Sequence, residues 1–505
     1  MSIIRKYQIF KYLQTYIMKK NTWLIFYKNS KRYFLTLFFM ALSLVAFAQK
    51  TISKQELTED FVQLKGQLEK LHLGLYHYET KEDFEKRYTK TINDFPDSLT
   101  VSEAYLALNG FIGGMQDLHT SVFFPKNYFP KDKNKALPIV IRKKGDKFYI
   151  HLNGSTDSTI LRGEEIVSVD KIPVKETFEK SKGLFGTDKG NQNSKIFYAE
   201  RYFARNTNVL YGMKDSMLLE LRNTKKDSVY YRKIQTELTK NSNKILAKRY
   251  KNINRKNLNF KIIDSLNHIA VMDVVSFSEK GNKLDFHHLK FNNLVKKNFK
   301  SIQDNHIKHL IIDFRFNGGG LLTNTKRITK YVANGPFVAT DSIKLSRGGF
   351  NKIFPPYLFT NYLLGRLVFK KQTDGSYLRT SKKPNLPTKK HHYAGKIYVL
   401  MDGGSYSATT LTIGLWKDMN RATFVGSTVG GANWGSFAGQ WKNFKLKNSK
   451  FKVHIPLMKL IHSHPNKTNT TFFVEPDYYV EQSFEDFMNR KDSPLNFVLD
   501  LIKNK

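Results

Sequence analysis

Two serines, Ser405 and Ser407, stand in a turn with Gly403 and Gly404, where the hydrophobic pattern of the chain changes. Before the turn, residues 397–401 form a short apolar run rich in β-branched and aromatic side chains, which predicts a buried strand. After the turn, apolar residues recur at helical spacing, namely Leu411, Leu415 and Trp416. The segment therefore predicts a strand that passes into a helix at a serine.

A serine at the start of a helix has two common uses. The first backbone N–H groups of a helix have no internal partner and can stabilise an anion, so a hydroxyl beside them can serve as a nucleophile. Alternatively, Ser405 or Ser407 is only an N-cap, which is the commoner role of serine at this place. This segment alone leaves both interpretations open.

A second stretch ends a strand with glycines. Residues 310–314 are apolar up to Asp313, and Gly318, Gly319 and Gly320 follow shortly afterwards. Consecutive glycines let the backbone approach a ligand closely and turn its amides toward it. The stretch lacks the spacing and the lysine of a phosphate-binding loop, so taken alone it is more often a plain loop.

The two stretches, together with two later segments, resemble the S41 peptidase family of tail-specific and C-terminal-processing proteases and their relatives. The matching segments are 313–320 for D-x-R-x-N-x-G-G, 407–408 for S-A, 424–431 for V-G-x-x-T-x-G-G with one position fewer, and 476–480 for P-D-x-x-V. The resemblance implies a serine-type peptidase on an α/β fold with a crotonase/ClpP-like layered core. It implies Ser407 as nucleophile, and backbone N–H groups of Ala408 and of Gly318 or Gly319 as oxyanion donors.

The resemblance also supplies a base. Asp117, His119 and Thr120 are similar to a D-x-H-T element of many S41 relatives, whose histidine is the general base. Without the resemblance, a lone histidine is more often structural. The processing branch of the family uses a lysine after the serine instead, but Ala432 stands at that position. The chain is therefore predicted to use a Ser–His arrangement rather than a Ser–Lys pair.

An acid is expected to orient His119, but no motif position assigns it. Glu475, directly before Pro476, is the first choice for this acid. Asp117 is two residues from His119, which is close along the chain for this role. Arg315 and Asp313 are interpreted as structural.

Four segments divide the chain. We predict a signal peptide over 1–48, an N-terminal helical domain over 50–130, a PDZ-like domain over 137–235 and a catalytic domain over 259–505. Residues 161–174 resemble a PDZ motif, with Glu164 where Asp is usual and Lys171 where Gly is usual. The module is either a degenerate packing unit or a peptide reader. Alternating strands and helices after residue 259 predict a mainly parallel layered sheet.

The N-terminal segment and the net charge indicate where the protein is located and what it contacts. Lys28, Lys31 and Arg32 are basic, residues 33–45 are mainly apolar, and Ala46-Phe47-Ala48 is a small-x-small cleavage site. We predict export to a bacterial envelope, periplasm or outer surface, with an uncleaved anchor as the alternative. The net charge of +40 predicts an anionic neighbourhood such as a membrane surface. No nucleic-acid motif is present, and the resemblance implies a polypeptide substrate as the partner.

No cofactor is expected. His287-His288 and His462-Ser463-His464 are histidine pairs without the cysteine or spaced carboxylate of a zinc motif, so no metal site is predicted. Two alternatives to a peptidase stay open: a non-catalytic envelope peptide-binding protein on the same fold, and another crotonase-like chemistry on a small acyl compound.

Overall fold

Helices and strands alternate along the chain in the computed structural model, which describes residues 51–126, 128–129, 134–250, 255–279, 289–381, 383–464 and 471–504. The predicted signal peptide, 1–48, lies outside the described residues. The α-helices are α1 (Lys54–Leu71), α2 (Lys81–Asn93), α3 (Val101–Gly113), α4 (Val174–Gly183), α5 (Gln192–Tyr211), α6 (Thr239–Arg249), α7 (Leu289–Asp304), α8 (Leu322–Thr329), α9 (Arg347–Ile353), α10 (Phe359–Val368), α11 (Ala408–Asp418), α12 (Phe484–Met488) and α13 (Ser493–Lys503).

The strands form several separate sheets. They are β1 (Thr51–Ser53), β2 (Ser98–Thr100), β3 (Ser121–Phe123), β4 (Lys135–Ala136), β5 (Ile139–Lys144), β6 (Lys147–Asn153), β7 (Glu165–Val169), β8 (Ile172–Pro173), β9 (Ser216–Asn223), β10 (Ser228–Gln235), β11 (Glu237–Leu238), β12 (Asn259–Asp264), β13 (Ile269–Asp273), β14 (His309–Asp313), β15 (Thr340–Leu345), β16 (Lys370–Lys371), β17 (Tyr377–Thr380), β18 (Lys396–Met401), β19 (Thr423–Gly426), β20 (Gly435–Lys445), β21 (Lys452–His462) and β22 (Tyr478–Tyr479).

A mainly parallel sheet carries the serine and glycine turns. Its order is β12-β13-β14-β18-β19-β22, and every pairing except β12 with β13 is parallel. β14 and β18 are neighbours, with Asp313 opposite Leu400, so the turns that follow them leave the same edge of the sheet. Their side chains are buried on both faces, which explains the continuous apolar runs in the sequence. The mixed α/β class predicted from the sequence is confirmed.

An antiparallel sheet joins a strand of the N-terminal part of the chain to strands of its C-terminal half. Its order is β16-β17-β15-β21-β20, and β3 pairs with β21 by placing Ser121 opposite His454. The strand β3 comes directly after the predicted D-x-H-T element. The pairing therefore fixes the position of that element against the C-terminal half of the chain.

The N-terminal helices pack on one apolar core, to which α1 contributes Leu57, Phe61, Leu64 and Leu68 at three-to-four spacing. Ser53 with Glu56 and Thr100 with Glu103 form capping boxes at the starts of α1 and α3. The buried faces of α1 and α3 share a core with apolar side chains near β21, including Phe451. This core supports the end of α3, from which the loop with Asp117 and His119 emerges.

Residues 137–235 form a third sheet with the order β10-β9-β7-β6-β5, and α4 and α5 pack on its core. A small sheet with two helices is consistent with the PDZ-like prediction, and the domain boundaries stay predictions. Residues 52–505 form one compact unit. Among the described helices, none is long and apolar enough to span a membrane.

Candidate active site

Ser407 occupies the strand-to-helix turn in an unusual backbone conformation. Its φ of 59° and ψ of −123° lie in a region that residues with a Cβ rarely adopt. Such a conformation costs about 1–3 kcal/mol and is found mainly where a side chain is held for function. The Ser407 side chain makes no capping hydrogen bond at the start of α11. The N-cap interpretation therefore does not describe Ser407.

Ser405 is the structural serine of the turn. Its Oγ donates to the Phe314 carbonyl at 3.0 Å and accepts from the Asp402 backbone N–H at 3.1 Å. Asp402 in turn accepts from the backbone N–H groups of Phe316 and Gly404. These bonds tie the serine turn to the glycine turn of the neighbouring strand, so Ser405 is fully buried and has no access to a ligand.

His119 lies against Ser407 across 288 positions of sequence. The distance between His119 Nε2 and Ser407 Oγ is 3.3 Å. The ring of His119 also packs on the ring of Tyr406, with centroids 5.1 Å apart. The structure thus brings together the two side chains that the resemblance singles out.

Asp117 lies on the other side of the His119 ring. Its Oδ1 is 3.6 Å from His119 Nδ1, and it accepts the backbone N–H of His119 at 3.0 Å. Its Oδ2 accepts from Thr120 N–H at 3.1 Å and from Thr120 Oγ1 at 2.7 Å. The separation of 3.6 Å is too long for a hydrogen bond, and His119 Nδ1 has no other hydrogen-bond partner in the described part of the chain.

His72 completes the surroundings of Asp117. Its Nδ1 accepts the backbone N–H of Gly74 at 3.0 Å, so in the neutral ring the proton is on Nε2. His72 Nε2 lies 3.1 Å from Asp117 Oδ2 and therefore donates to it. Both side chains are buried. His72 consequently acts as a fixed donor to the carboxylate that faces His119.

The ionisation of Asp117 reflects these donors. Burial of Asp117 opposes its charged form, but the imidazoles of His119 and His72 outweigh this effect and hold its pKa well below the usual range. Asp117 is therefore a carboxylate near neutral pH. A negative charge beside Nδ1 favours a proton there and leaves Nε2 free to accept one from Ser407.

A second buried carboxylate, Asp188, lies behind Tyr406. It accepts from Tyr406 OH at 2.8 Å and from the Ala432 backbone N–H at 3.0 Å. Burial, and then the charge of Asp117, raise the pKa of Asp188 to about 6. Asp188 thereby anchors the ring on which His119 rests, and Ala432, at the position of the lysine in the processing branch, contacts this acid through its backbone.

The oxyanion prediction fits two of the three amides. The backbone N–H of Gly319 donates to Asn317 Oδ1 at 2.9 Å and is therefore occupied. The N–H groups of Gly318 and Ala408 donate to no acceptor among the described residues. Gly319 has a different role, because its φ is +97° and a Cβ would lie 2.9 Å from Ala408 N and from Ser407 Cβ. Its missing side chain lets the two turns meet.

Glu475 does not fit the place predicted for it. Its carboxylate bonds the hydroxyl of Thr428 and is exposed, and no ion pair within 4.0 Å joins it to His119. Its backbone carbonyl accepts from Lys417, which also pairs with Asp477 at 2.8 Å. The physical reason is that the segment before β22 runs along the outer side of α11. The acid beside His119 is Asp117.

The structural roles of Arg315 and Asp313 agree with their interpretation. The Arg315 guanidinium bonds the Asp313 carboxylate at 2.7 Å and Asp492 at 2.7 Å. The histidines 462 and 464 both contact the carbonyl of Asn433. No group of three or more metal-ligating side chains occurs within the described ranges. His287 and His288 lie outside them.

Sequence reasoning missed His72 and Asp188 and discounted Asp117. Asp117 belongs to the matched motif, and a local turn folds its carboxylate back toward His119, two residues later. His72 follows α1 without any motif, and Asp188 lies in an irregular stretch that forms a short 3-10 turn at Asp188–Gly190. Their contacts are long-range, and no local pattern signals them.

The mixed α/β fold and the serine at a strained strand-to-helix turn define an enzyme of the serine-peptidase type. Residues 268–480 match the model of peptidase family S41. This match supports a serine-type peptidase, and residues 268–480 are the part of the chain that is similar to the family. Among curated protein sequences, none matches the chain.

Solved structures share the fold. Mature CPAF is similar with a TM-score of 0.63 and 15% identity, covering 90% of this chain and 98% of that chain. Mature CPAF complexed with lactacystin gives the same TM-score and identity, over 90% of this chain and 99% of that chain. The photosystem II D1 C-terminal processing protease has a TM-score of 0.40 and 12% identity, over 84% and 93% of the two chains. The likeness to mature CPAF extends well beyond residues 268–480.

Proposed function

We propose that the chain is an exported serine endopeptidase in which Ser407 is the nucleophile and His119 the general base. The observation that carries the proposal is the distance of 3.3 Å between His119 Nε2 and Ser407 Oγ. His119 takes the proton of Ser407 as its Oγ attacks the peptide carbonyl carbon, and an acyl-enzyme forms when the proton passes to the leaving amine. Water, activated by the same imidazole, then releases the acyl group and restores Ser407.

The amides of Gly318 and Ala408 support this chemistry. They flank Ser407 and are free to donate to the oxyanion of the tetrahedral intermediate. Loss of one such donor typically costs about 3–4 kcal/mol of transition-state stabilisation.

Asp117 is proposed as the acid that orients His119 and stabilises its imidazolium. The gap of 3.6 Å to Nδ1 is compatible with this role, because catalytic hydrogen bonds are often long in the free enzyme and shorten when substrate binds. His72 is proposed to keep Asp117 ionised and in place through its Nε2–H. The order Ser407, His119, Asp117, His72 is then one continuous chain of contacts.

A fluorophosphonate probe tests the nucleophile. We expect it to label the native chain and to fail on Ser407→Ala, because Oγ is the atom that attacks phosphorus. Ser405→Ala is the matched control in the same turn, with circular dichroism to verify folding of both variants. Labelling that survives in Ser407→Ala would reject Ser407 as nucleophile.

The second candidate is a non-catalytic envelope peptide-binding protein, which the unpartnered His119 Nδ1 favours. Peptide binding without turnover, unchanged in His119→Ala, would support it over the peptidase. A fluorogenic peptide library, read out by mass spectrometry of its products, separates the two functions.

We propose export from the basic Lys28, Lys31 and Arg32, the mainly apolar residues 33–45 and the Ala46-Phe47-Ala48 site. N-terminal sequencing of the secreted chain should begin at Gln49, and Ala48→Trp should block that cleavage. A full-length chain that keeps its N-terminus would instead support an anchor. The basic charge is proposed to favour anionic membranes, which co-sedimentation with phosphatidylserine vesicles, and not with phosphatidylcholine vesicles, would show.

A further inference from the structure

A cavity of about 630 Å³ lies between the sheet of β5 and β6 and the carboxyl ends of β18 and β19. Its walls come from three parts of the chain: β5, β6 and α5 on one side, residues 401–403 and 426–427 on another, and residues 480–494 on the third. Its size lies within the usual range of ligand-binding clefts. None of the proposed catalytic side chains lines it.

The lining is strongly basic. Seven Lys and Arg side chains and four carboxylates face the cavity, an excess of three positive charges. Arg142 pairs with Glu200 at 2.9 Å, and Arg315 pairs with Asp492 at 2.7 Å. These two pairs account for half of the carboxylates and leave most of the cations without a carboxylate of their own.

Five of the seven cations form no ion pair among the described residues, namely Lys143, Lys144, Arg162, Arg490 and Lys491. Lys144 Nζ donates to the Gln482 carbonyl at 2.6 Å. Arg162 donates from Nη1 to His151 Nδ1 at 2.6 Å and from Nε to the Phe487 carbonyl at 3.0 Å. These neutral acceptors hold Lys144 and Arg162 in place without neutralising them.

The cations repel one another. Burial, and then the charges of Arg490 and Arg142, lower the pKa of Arg162 to about 10. Burial and the same group of cations lower the pKa of His151 to about 2, so His151 is neutral near pH 7 and adds no charge to the cavity. A positive potential of this kind is relieved when an anion enters.

We propose that this cavity binds carboxylates of an acidic segment of the polypeptide substrate. The inference rests on the proposed function for the identity of the ligand as polypeptide. Guanidinium and ammonium groups that are held by neutral acceptors are suited to bind carboxylates.

Two short segments of the chain connect the cavity to the proposed catalytic site. Phe316 lines the cavity and precedes Gly318 by two residues, and Gly403 lines it and precedes Ser407 by four. Phe197 packs on Phe316 with ring centroids 5.5 Å apart, so β5, α5 and the glycine turn form one continuous wall. An acidic segment held here would direct the neighbouring part of the same polypeptide toward Ser407.

Peptide binding to the Ser407→Ala chain tests the inference without hydrolysis. Fluorescein-labelled peptides with amidated C-termini are compared, one rich in Glu and the other identical except for Gln at those positions. We expect the Glu peptide to bind about tenfold more tightly, a difference that shrinks as salt screens the charges. A third peptide, with Gln and a free C-terminus, shows whether a terminal carboxylate serves as well as side chains.

Charge-removing variants locate the effect. In Lys144→Gln/Arg490→Gln, the ratio of the two dissociation constants should fall to below about threefold. The matched control Lys175→Gln/Lys261→Gln removes the same charge from exposed positions outside the cavity and should keep the ratio. If the double variant fails to fold, Arg490→Gln alone, at an exposed position, tests the same point.

Equal affinity of the Ser407→Ala chain for the Glu and Gln peptides would overturn the inference. So would a control variant, Lys175→Gln/Lys261→Gln, that loses the preference for the Glu peptide as much as the cavity variant does. The outcome is separate from the proposed function. A chain that binds the Glu peptide but resists the fluorophosphonate would keep this inference and reject the peptidase mechanism, and a chain that hydrolyses both peptides alike would do the reverse.

Discussion

Two buried carboxylates, Asp117 and Asp188, lie within the same site and differ in the number of donors around them. Asp117 accepts four hydrogen bonds, two from Thr120 and one each from His119 N–H and His72 Nε2. Asp188 accepts two, from Tyr406 OH and Ala432 N–H. The side chains are similarly buried, with 1% and 3% of each residue exposed.

The difference in donors separates the chemistry of the two acids. Burial raises the pKa of a carboxyl group, and only sufficient donors and positive neighbours reverse this effect. The pKa of Asp117 is well below its usual range, whereas that of Asp188 rises to about 6, partly because of the charge of Asp117. Asp117 is thereby suited to stabilise an imidazolium, and Asp188 to hold Tyr406.

Asp117→Asn should cause the largest loss of activity among these variants. We expect kcat/KM to fall about 10⁴-fold, because the amide cannot stabilise the His119 imidazolium and its NH₂ group would oppose the donor of His72. Kinetics on a fluorogenic peptide and the rate of fluorophosphonate labelling measure the loss. A decrease of less than tenfold, in a variant with native circular dichroism, would remove Asp117 from the mechanism.

Asp188→Asn should change stability with pH more than it changes activity. The folded pKa of about 6 exceeds the unfolded value of 3.8, so the native state binds the proton more tightly. The free energy of unfolding should therefore fall as pH rises from about 4 to about 6, by about 3 kcal/mol from this group. The asparagine variant should lack this fall.

Denaturant unfolding of the native chain and Asp188→Asn at several pH values between 4 and 7 checks the difference. Parallel stability curves for the two proteins would contradict a raised pKa for Asp188.

His72→Leu tests whether the hydrogen bond from His72 accounts for the difference between Asp117 and Asp188. Removing a hydrogen bond to a buried charged group costs about 2 kcal/mol, so we expect a comparable loss of stability and about a tenfold decrease in kcat. His72→Gln, which retains a donor, should recover part of kcat. If His72→Leu loses stability while kcat is unchanged in both His72→Leu and His72→Gln, His72 supports the fold only.

Glu475→Gln should have the smallest effect. The carboxylate of Glu475 is exposed and bonds Thr428 rather than His119. We expect kcat/KM to change by less than about threefold, in the range of exposed polar contacts. A loss as large as that of Asp117→Asn would restore Glu475 as the acid of the site.

The sequence predicts the parts of this site that local patterns encode. Ser407 and Gly318 follow apolar strands in turns whose composition is distinctive, and His119 lies in a short motif. The contacts of His72 with Asp117 and of Asp188 with Tyr406 span 45 and 218 positions, and they depend on how α1, α3 and the 3-10 turn pack. No periodicity or spacing records such packing, so neither acid environment was predictable.

The pairing of β3 with β21 places residues 121–123 against 452–454. The loop with His119 consequently reaches its final position only after residues 452–454 have left the ribosome. A nascent chain that ends before β21 contains Ser407 and His119 but lacks the strand that pairs with β3. The order of synthesis would thus delay the contact of His119 with Ser407 until β21 has been made.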